Sequence, residues 1–407
     1  METEALLSGE MREYAIYFVV KLILTILVFT LWMLMVPFLI WAERKVVADI
    51  QIRLGPNRVG PYGVLQPIAD AIKLVFKEDI TPALADRWIY TLAPAMLMVP
   101  AFLALAVIPI GGAIHIGPRS FAIQIMGFYK GPGLYVPELD AGILLVLALS
   151  SLGVYGIVLS GWSSANKYSL LGGMRSSAQM ISYELPLGVA LVGALLLAGT
   201  LRLDGLVQAQ AARGIWFIIP QFLGFVVFLL SGTAEVNRAP FDLPEAEQEL
   251  IGGYHTEYSS FRFAMFYMAE YINMVTISAV AVTFFIGGYR LFANGFAWIQ
   301  PIWFALKLVA VLYFLMWVRG TFPRVRFDQL MRMGWKASLP IALFNLLITA
   351  VALTFFPRSN TLVLSIASPV LAVVGFFALS YVIAERLARL TRERPRRATE
   401  RRGAEVR

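Results

Sequence analysis

The strongest constraint on this chain is its series of long apolar runs separated by short polar stretches. A transmembrane helix needs about 20 mostly apolar residues. Nine segments meet that need, over 15–42, 89–110, 140–161, 178–200, 214–233, 263–290, 299–318, 337–356 and 361–386. The runs are too long, and too poor in strict alternation, for strands of a membrane barrel. Apolar residues make up 59% of the chain and charged residues 15%, where a soluble domain has about 45–50% and about 25%. Too little polar side chain is left to cover a water-facing surface. The expected fold is an all-α, polytopic membrane protein with about nine transmembrane helices. The first run follows Glu2, Glu4, Glu10 and Glu13. That acidic start reads as a retained span, since a cleavable leader opens on basic residues.

Lysine and arginine set the orientation of such a chain. If the first long loop faces the cytoplasm, inside segments carry 25 of these residues and outside segments seven, with Lys21 and Lys307 inside spans. This places the N-terminus outside and the C-terminus in the cytoplasm. Residues 386–407 hold nine arginines and three glutamates, which is most of the net charge of +8. A polybasic run beside a membrane is attracted to anionic lipid, so the charge belongs to an anchor-like tail and is no sign of a nucleic-acid partner.

The chain has no cysteine and two histidines, His115 and His255. Disulfides and cysteine-ligated zinc or iron–sulfur clusters are thereby excluded on this chain. No G-x-x-x-x-G-K-[ST] or strand-linked G-x-G-x-x-G is present, so no nucleotide site is readable. No repeat relates the two halves, which disfavours a transporter built from inverted repeats.

The inside loops carry the chemistry. Residues 41–82 begin with Glu43, Arg44 and Lys45 where the first span ends, then turn through Arg53, Gly55-Pro56-Asn57-Arg58 and Gly60-Pro61. A short amphipathic helix is expected at about 63–78. Leu65, Ile68, Ile72 and Val75 fall on its apolar face, and Asp70, Lys73 and Lys77 on the other. Asp70 and Lys73 are spaced to pair. Such a helix either lies in the membrane interface or walls an entrance for an amphipathic, lipid-soluble substrate. Residues 161–188 read as a loop running into the fourth span, with Glu184 about two turns inside it. Residues 234–271 hold Glu235, Arg238, Asp242, Glu245, Glu247, Glu249, Glu257 and Glu270, interrupted by apolar Phe241 and Tyr254. Carboxylates gathered in a low dielectric raise one another's pKa, and groups that titrate near neutrality can pass protons. Glu138 and Asp140 at the start of the third span extend a possible polar axis through the bundle. Lys21 can snorkel to the interface, whereas Lys307, nearer mid-span, needs a partner.

At these loops the chain resembles a known family. WAERK, RLGPNRVGPYGVLQPIADAIKL, GWSSANKYSLLGGMRSSAQMISYE and AEVNRAPFDLPEAEQEL are similar to motifs of the H subunits of bacterial NADH-quinone oxidoreductase (respiratory complex I), counterparts of subunit 1 of the mitochondrial enzyme. The resemblance spans about residues 15–356. It implies a heel of the membrane arm that docks a soluble arm bearing flavin and iron–sulfur clusters, with small membrane subunits and antiporter-like subunits as further partners. Quinone, ubiquinone or menaquinone, is then a substrate, and this chain holds no cofactor of its own. Positions matching Glu43, Arg44, Arg53, Arg58, Asp70, Lys73, Arg238, Phe241 and Asp242 would line or shape a quinone tunnel. Those matching Glu184, Glu235, Glu245, Glu247, Glu249, Glu257 and Glu270 would carry protons or couple to them, and the polar axis read from the residues adds Glu138 and Asp140 to that path. The expected domains are 1–356 for the family-like membrane unit and, beyond the resemblance, 357–386 for an additional transmembrane helix and 387–407 for a basic, disordered cytoplasmic tail. The family typically has eight spans, so the ninth is a departure. Three other readings remain open: a homologous membrane subunit of a hydrogenase-type or other donor-linked complex, a proton-coupled secondary transporter, and a structural anchor. Co-purifying soluble subunits, function alone in liposomes, and indifference to loss of Glu184 or Glu270 would mark these in turn.

Overall fold

A computed structural model describes residues 2–116, 119–122, 141–242, 252–290 and 299–355, with side chains of the first helix described from Phe18 onward apart from Lys21. The helices are α1 (Glu2–Ile50), α2 (Gln66–Phe76), α3 (Arg87–Val107), α4 (Gly142–Ser163), α5 (Lys167–Ala198), α6 (Leu203–Arg213), α7 (Phe222–Glu235), α8 (Ser260–Phe285), α9 (Gln300–Thr321), α10 (Phe327–Met333) and α11 (Leu339–Phe355). Among the described residues, seven helical stretches are long and apolar enough to cross a membrane: Phe18–Ile50, α3, α4, α5, α8, α9 and Phe327–Phe355. α7 is apolar but shorter, at 14 residues. The expected ninth span, 361–386, lies outside the described residues. Leu22, Ile23, Ile26, Leu31 and Leu34 on α1 are exposed, as side chains facing lipid would be. α8 is the opposite case, with most of its apolar residues buried at the bundle centre.

Four local readings of the sequence are corrected. The 161–188 stretch is mostly helix, because α5 starts at Lys167. Asn166 caps it by accepting from the Tyr168 amide at 3.0 Å, the usual N-terminal device. Its small residues let backbones touch: a Cβ on Gly172 would meet the Gly253 backbone at 2.7 Å. Glu184 therefore lies near the middle of a long helix and not two turns into a shorter one. The fifth span begins late, after Gln221, because 214–221 turns to hydrogen-bond the end of α8, with Ile218 N donating to Phe285 O at 2.8 Å. The amphipathic helix is shorter than expected, Gln66–Phe76, and follows a tight turn at Pro61–Gly63. The connection after α3, which hydropathy leaves without an element, contains a short hairpin: Ala113–Ile116 (β1) and Arg119–Ala122 (β2) pair antiparallel, with Ala113 opposite Ala122.

α10 and α11 are joined through a wide π turn at Gly334–Ser338. Trp335 Nε1 in that turn donates to Ser182 Oγ at 3.2 Å, and Tyr183 OH donates to Leu330 O at 2.8 Å. The hook thereby rests on the middle of α5. At the far end of the bundle the buried Lys307 ammonium donates to the carbonyls of Ile286, Gly288 and Arg290 at 2.8, 2.9 and 2.7 Å. The partner expected for Lys307 is thus backbone, at the C-terminal end of α8. Charged-group hydrogen bonds contribute about 1.5–3 kcal/mol each. Lys307→Met, similar in length but without donors, is expected to lower the melting temperature of the purified assembly by several degrees. Thermal denaturation in detergent measures it.

Candidate functional site

Glu43 stands near the end of α1, only 4% exposed. Its Oε1 accepts from Arg238 Nη1 at 2.5 Å and pairs with Arg319, and its Oε2 accepts from Tyr271 OH at 2.6 Å. Arg238, 7% exposed, also pairs through Nε with Glu270. Its guanidinium lies over the Tyr271 ring, 4.2 Å from the centroid. Tyr267 extends the chain of hydroxyls, 3.1 Å from Tyr271 OH. Two carboxylates and two guanidiniums therefore meet where α1, α8, α9 and the segment after α7 converge. Charges buried like this persist only when paired and hydrogen-bonded, and here each has its opposite within contact.

The segment 236–242 that presents Arg238 runs through turns, with Phe241 N donating to Arg238 O at 2.8 Å, and side chains hold it as well. Asn237 Nδ2 donates to Ser176 Oγ at 3.0 Å. Gln179 Nε2 donates to the carbonyls of Ala234 and Phe241, both at 2.8 Å. The Ala239–Pro240 peptide is cis, and Pro240 O accepts from Val325 N at 3.2 Å. Arg324 Nη2 donates to Asp242 at 2.9 Å. Phe241 is buried, its ring 6.1 Å from that of Tyr183.

Next to the ion cluster is a cavity of about 820 Å³, lined among others by Glu43, Arg44, Arg53, Arg58, Tyr271 and Arg319. Binding clefts for small molecules typically occupy about 300–1,000 Å³. A second void of about 20 Å³ touches Glu43, Arg238 and Arg319 from the Gly232 and Met316 side. It has room for one water, given that about 10–15 Å³ of such space suffices. Arg44 closes one wall by pairing with Asp70 at 2.6 Å, and Gln66 supports Asp70 at 3.0 Å. The expected Asp70–Lys73 pair is not formed: the guanidinium from α1 outcompetes the neighbour on the helix, and Lys73 is left exposed.

Glu235 and Glu184 form a second carboxylate group. Glu235 ends α7, is buried, and lies within reach of the Glu184 charge. Glu184 accepts from Ser151. Glu257 is brought to neither group: Asn166 Nδ2 binds it at 2.6 Å near the start of α5. Glu138, Asp140, Glu245, Glu247 and Glu249 lie outside the described residues. Sequence reasoning missed Tyr267, Tyr271, Arg319 and Gln179. Arg319 is the only one with a signal, as a basic residue in the last turn of a span.

The family profile described as NADH dehydrogenase matches residues 21–350. The H 1 subunit of the NADH-quinone oxidoreductase of Geobacter sulfurreducens is 48% identical over 341 residues, 83% of this chain and 96% of that protein. An H 1 subunit of the same enzyme from Geobacter metallireducens is 50% identical over 79% of this chain and 93% of its own length. The H subunit from Frankia alni is 49% identical over 79% of this chain, which covers 70% of that longer protein.

Proposed function

This chain belongs to the NADH dehydrogenase family, as a membrane subunit of NADH-quinone oxidoreductase, and on that premise we propose that it houses the quinone headgroup and couples its reduction to proton movement. The cavity beside Glu43 would be part of a tunnel completed by the soluble arm, with α2 at its lipid entrance. The wall is mixed, as an amphipathic headgroup needs: apolar Val47 and Leu54 with Arg44, Arg53 and Tyr271. Electrons delivered by partner subunits reduce the quinone, and two electrons with two protons make the quinol. The negative charge that builds before protonation acts on the neighbouring Arg238, which is shared between Glu43 and Glu270. That sharing is the observation that carries the reading. A guanidinium held by two carboxylates can shift its weight from one to the other, and the change is passed on to Glu235, Glu184 and the acidic stretch at Glu245, Glu247, Glu249 and Glu257. Coupling between sites of this kind amounts to about 1–3 kcal/mol.

On this reading residues 1–356 form the family-like membrane unit, 357–386 an added transmembrane helix and 387–407 a cytoplasmic basic tail. The protein sits in a bacterial inner membrane, N-terminus outside. A photoreactive quinone analogue tests the central claim in the assembled complex. Label is expected on 43–58 and on 235–242, and excess quinone should suppress it. Label confined to lipid-facing side chains of α1 or α9, unaffected by competing quinone, would overturn it.

A further inference from the structure

Gln179 is fully buried on α5, and its amide reaches the segment that carries Arg238 at two points. Both partners are carbonyls, so only the NH2 face can serve, and the orientation of the amide follows from chemistry. One carbonyl belongs to Ala234, in the last turn of α7, and also accepts from Asn237 N at 3.3 Å. The other belongs to Phe241, on the far side of Arg238. The Gln179 Oε1 is buried without a hydrogen-bond partner, so the side chain is spent on holding these two points. Ser176, one turn earlier, holds Asn237 between them at 3.0 Å. Glu184 follows on the same rigid helix, about 7.5 Å further along the axis.

We propose that Gln179 is a positioning residue for the quinone-linked reaction: it fixes the span of backbone from Ala234 to Phe241, so that Arg238 is aimed at Glu43 and Glu270. The same staple ties any movement of that segment to α5, and so to Glu184. Nothing else in the described residues bonds both ends of the segment from one side chain. This rests on the quinone reading above. The role belongs to the donors of the amide, and that makes it separable from simple packing.

The test uses the complex assembled in membranes carrying Gln179→Met or Gln179→Glu. Met keeps the volume and removes both donors. Glu keeps the shape and recovers one donor when protonated. Quinone turnover is expected to fall at least fivefold in the Met variant, with reduction of an artificial acceptor at the flavin unchanged. The Glu variant is expected to be intermediate and to gain activity relative to wild type as pH is lowered from 8 to 6. Protons translocated per electron should fall in both. Turnover, KM and proton ratio within twofold of wild type in both variants would overturn the proposal. So would a parallel loss of quinone and artificial-acceptor activity, or of the assembled complex, which marks a role in folding alone. Unaltered quinone turnover in an Arg238 variant would instead strike the underlying reading.

Discussion

Arg238→Gln in the assembled complex is expected to cut NADH-driven quinone reduction by more than tenfold, with flavin-site reduction of an artificial acceptor preserved. The reason is charge accounting in a dry place. Arg238 is 7% exposed and is in contact with both Glu43 and Glu270. Removing one partner of a buried pair typically costs about 3–5 kcal/mol, because a charge is left uncompensated. Glu43 would keep Arg319 and Tyr271, and both Glu43 and Glu270 would lose their contact with the Arg238 charge. Glutamine retains a planar group and some hydrogen bonding, which isolates the loss of charge from loss of shape. Arg238→Lys should be intermediate: it restores the charge but cannot fork to two carboxylates as a guanidinium does. Measurement of kcat and KM with a short-chain quinone checks both. Turnover of Arg238→Gln within twofold of wild type would remove Arg238 from the mechanism.

The second large effect is structural. Gly63 closes the turn before α2 at φ +76, and a Cβ there would stand 2.2 Å from the Pro56 carbonyl oxygen. The obstacle is backbone, which cannot swing aside as a side-chain tip can. Gly63→Ala therefore combines a left-handed conformation, costing about 1–2 kcal/mol for a residue with a Cβ, with overpacking of about 1–3 kcal/mol. The strap at Gly55–Asn57, part of the cavity wall, would be pushed from its seat. A clear drop in the melting temperature of the purified complex is expected, together with weaker quinone binding. Gly214→Ala is the control. Its φ is +66 but nothing lies within 4 Å of the added carbon, so only the conformational cost applies. Equal melting temperatures for the two variants would show that the Pro56 contact is unimportant.

Seven of the expected spans were legible among the described residues, because lipid leaves backbone groups no partner but their own helix. Helix starts were less so. Hydropathy did not register that Asn166 caps α5 or that Ile218 is claimed by the end of α8. The ion cluster was half legible. Glu43, Arg238 and Glu270 stand out because a charge amid apolar neighbours demands an explanation. Tyr267, Tyr271 and Gln179 do not, since neutral polar residues occur on many helices and the partners of Tyr271 and Gln179 lie far away in sequence. Arg319 was counted as a flanking positive charge, although it turns inward to Glu43. Asp70 shows the limit of local rules: its i,i+3 neighbour Lys73 was available, but Arg44, 26 positions away, was better placed.

The three donors on Glu43 come from α8, α9 and the segment after α7, while Glu43 itself belongs to α1. One carboxylate is thus a shared fastening for four pieces of chain. Its protonation would slacken all four together, so at this point the charge of the site and the spacing of its helices are a single variable. A displacement of any one of these pieces would be felt at Glu43 and, through it, by the other three.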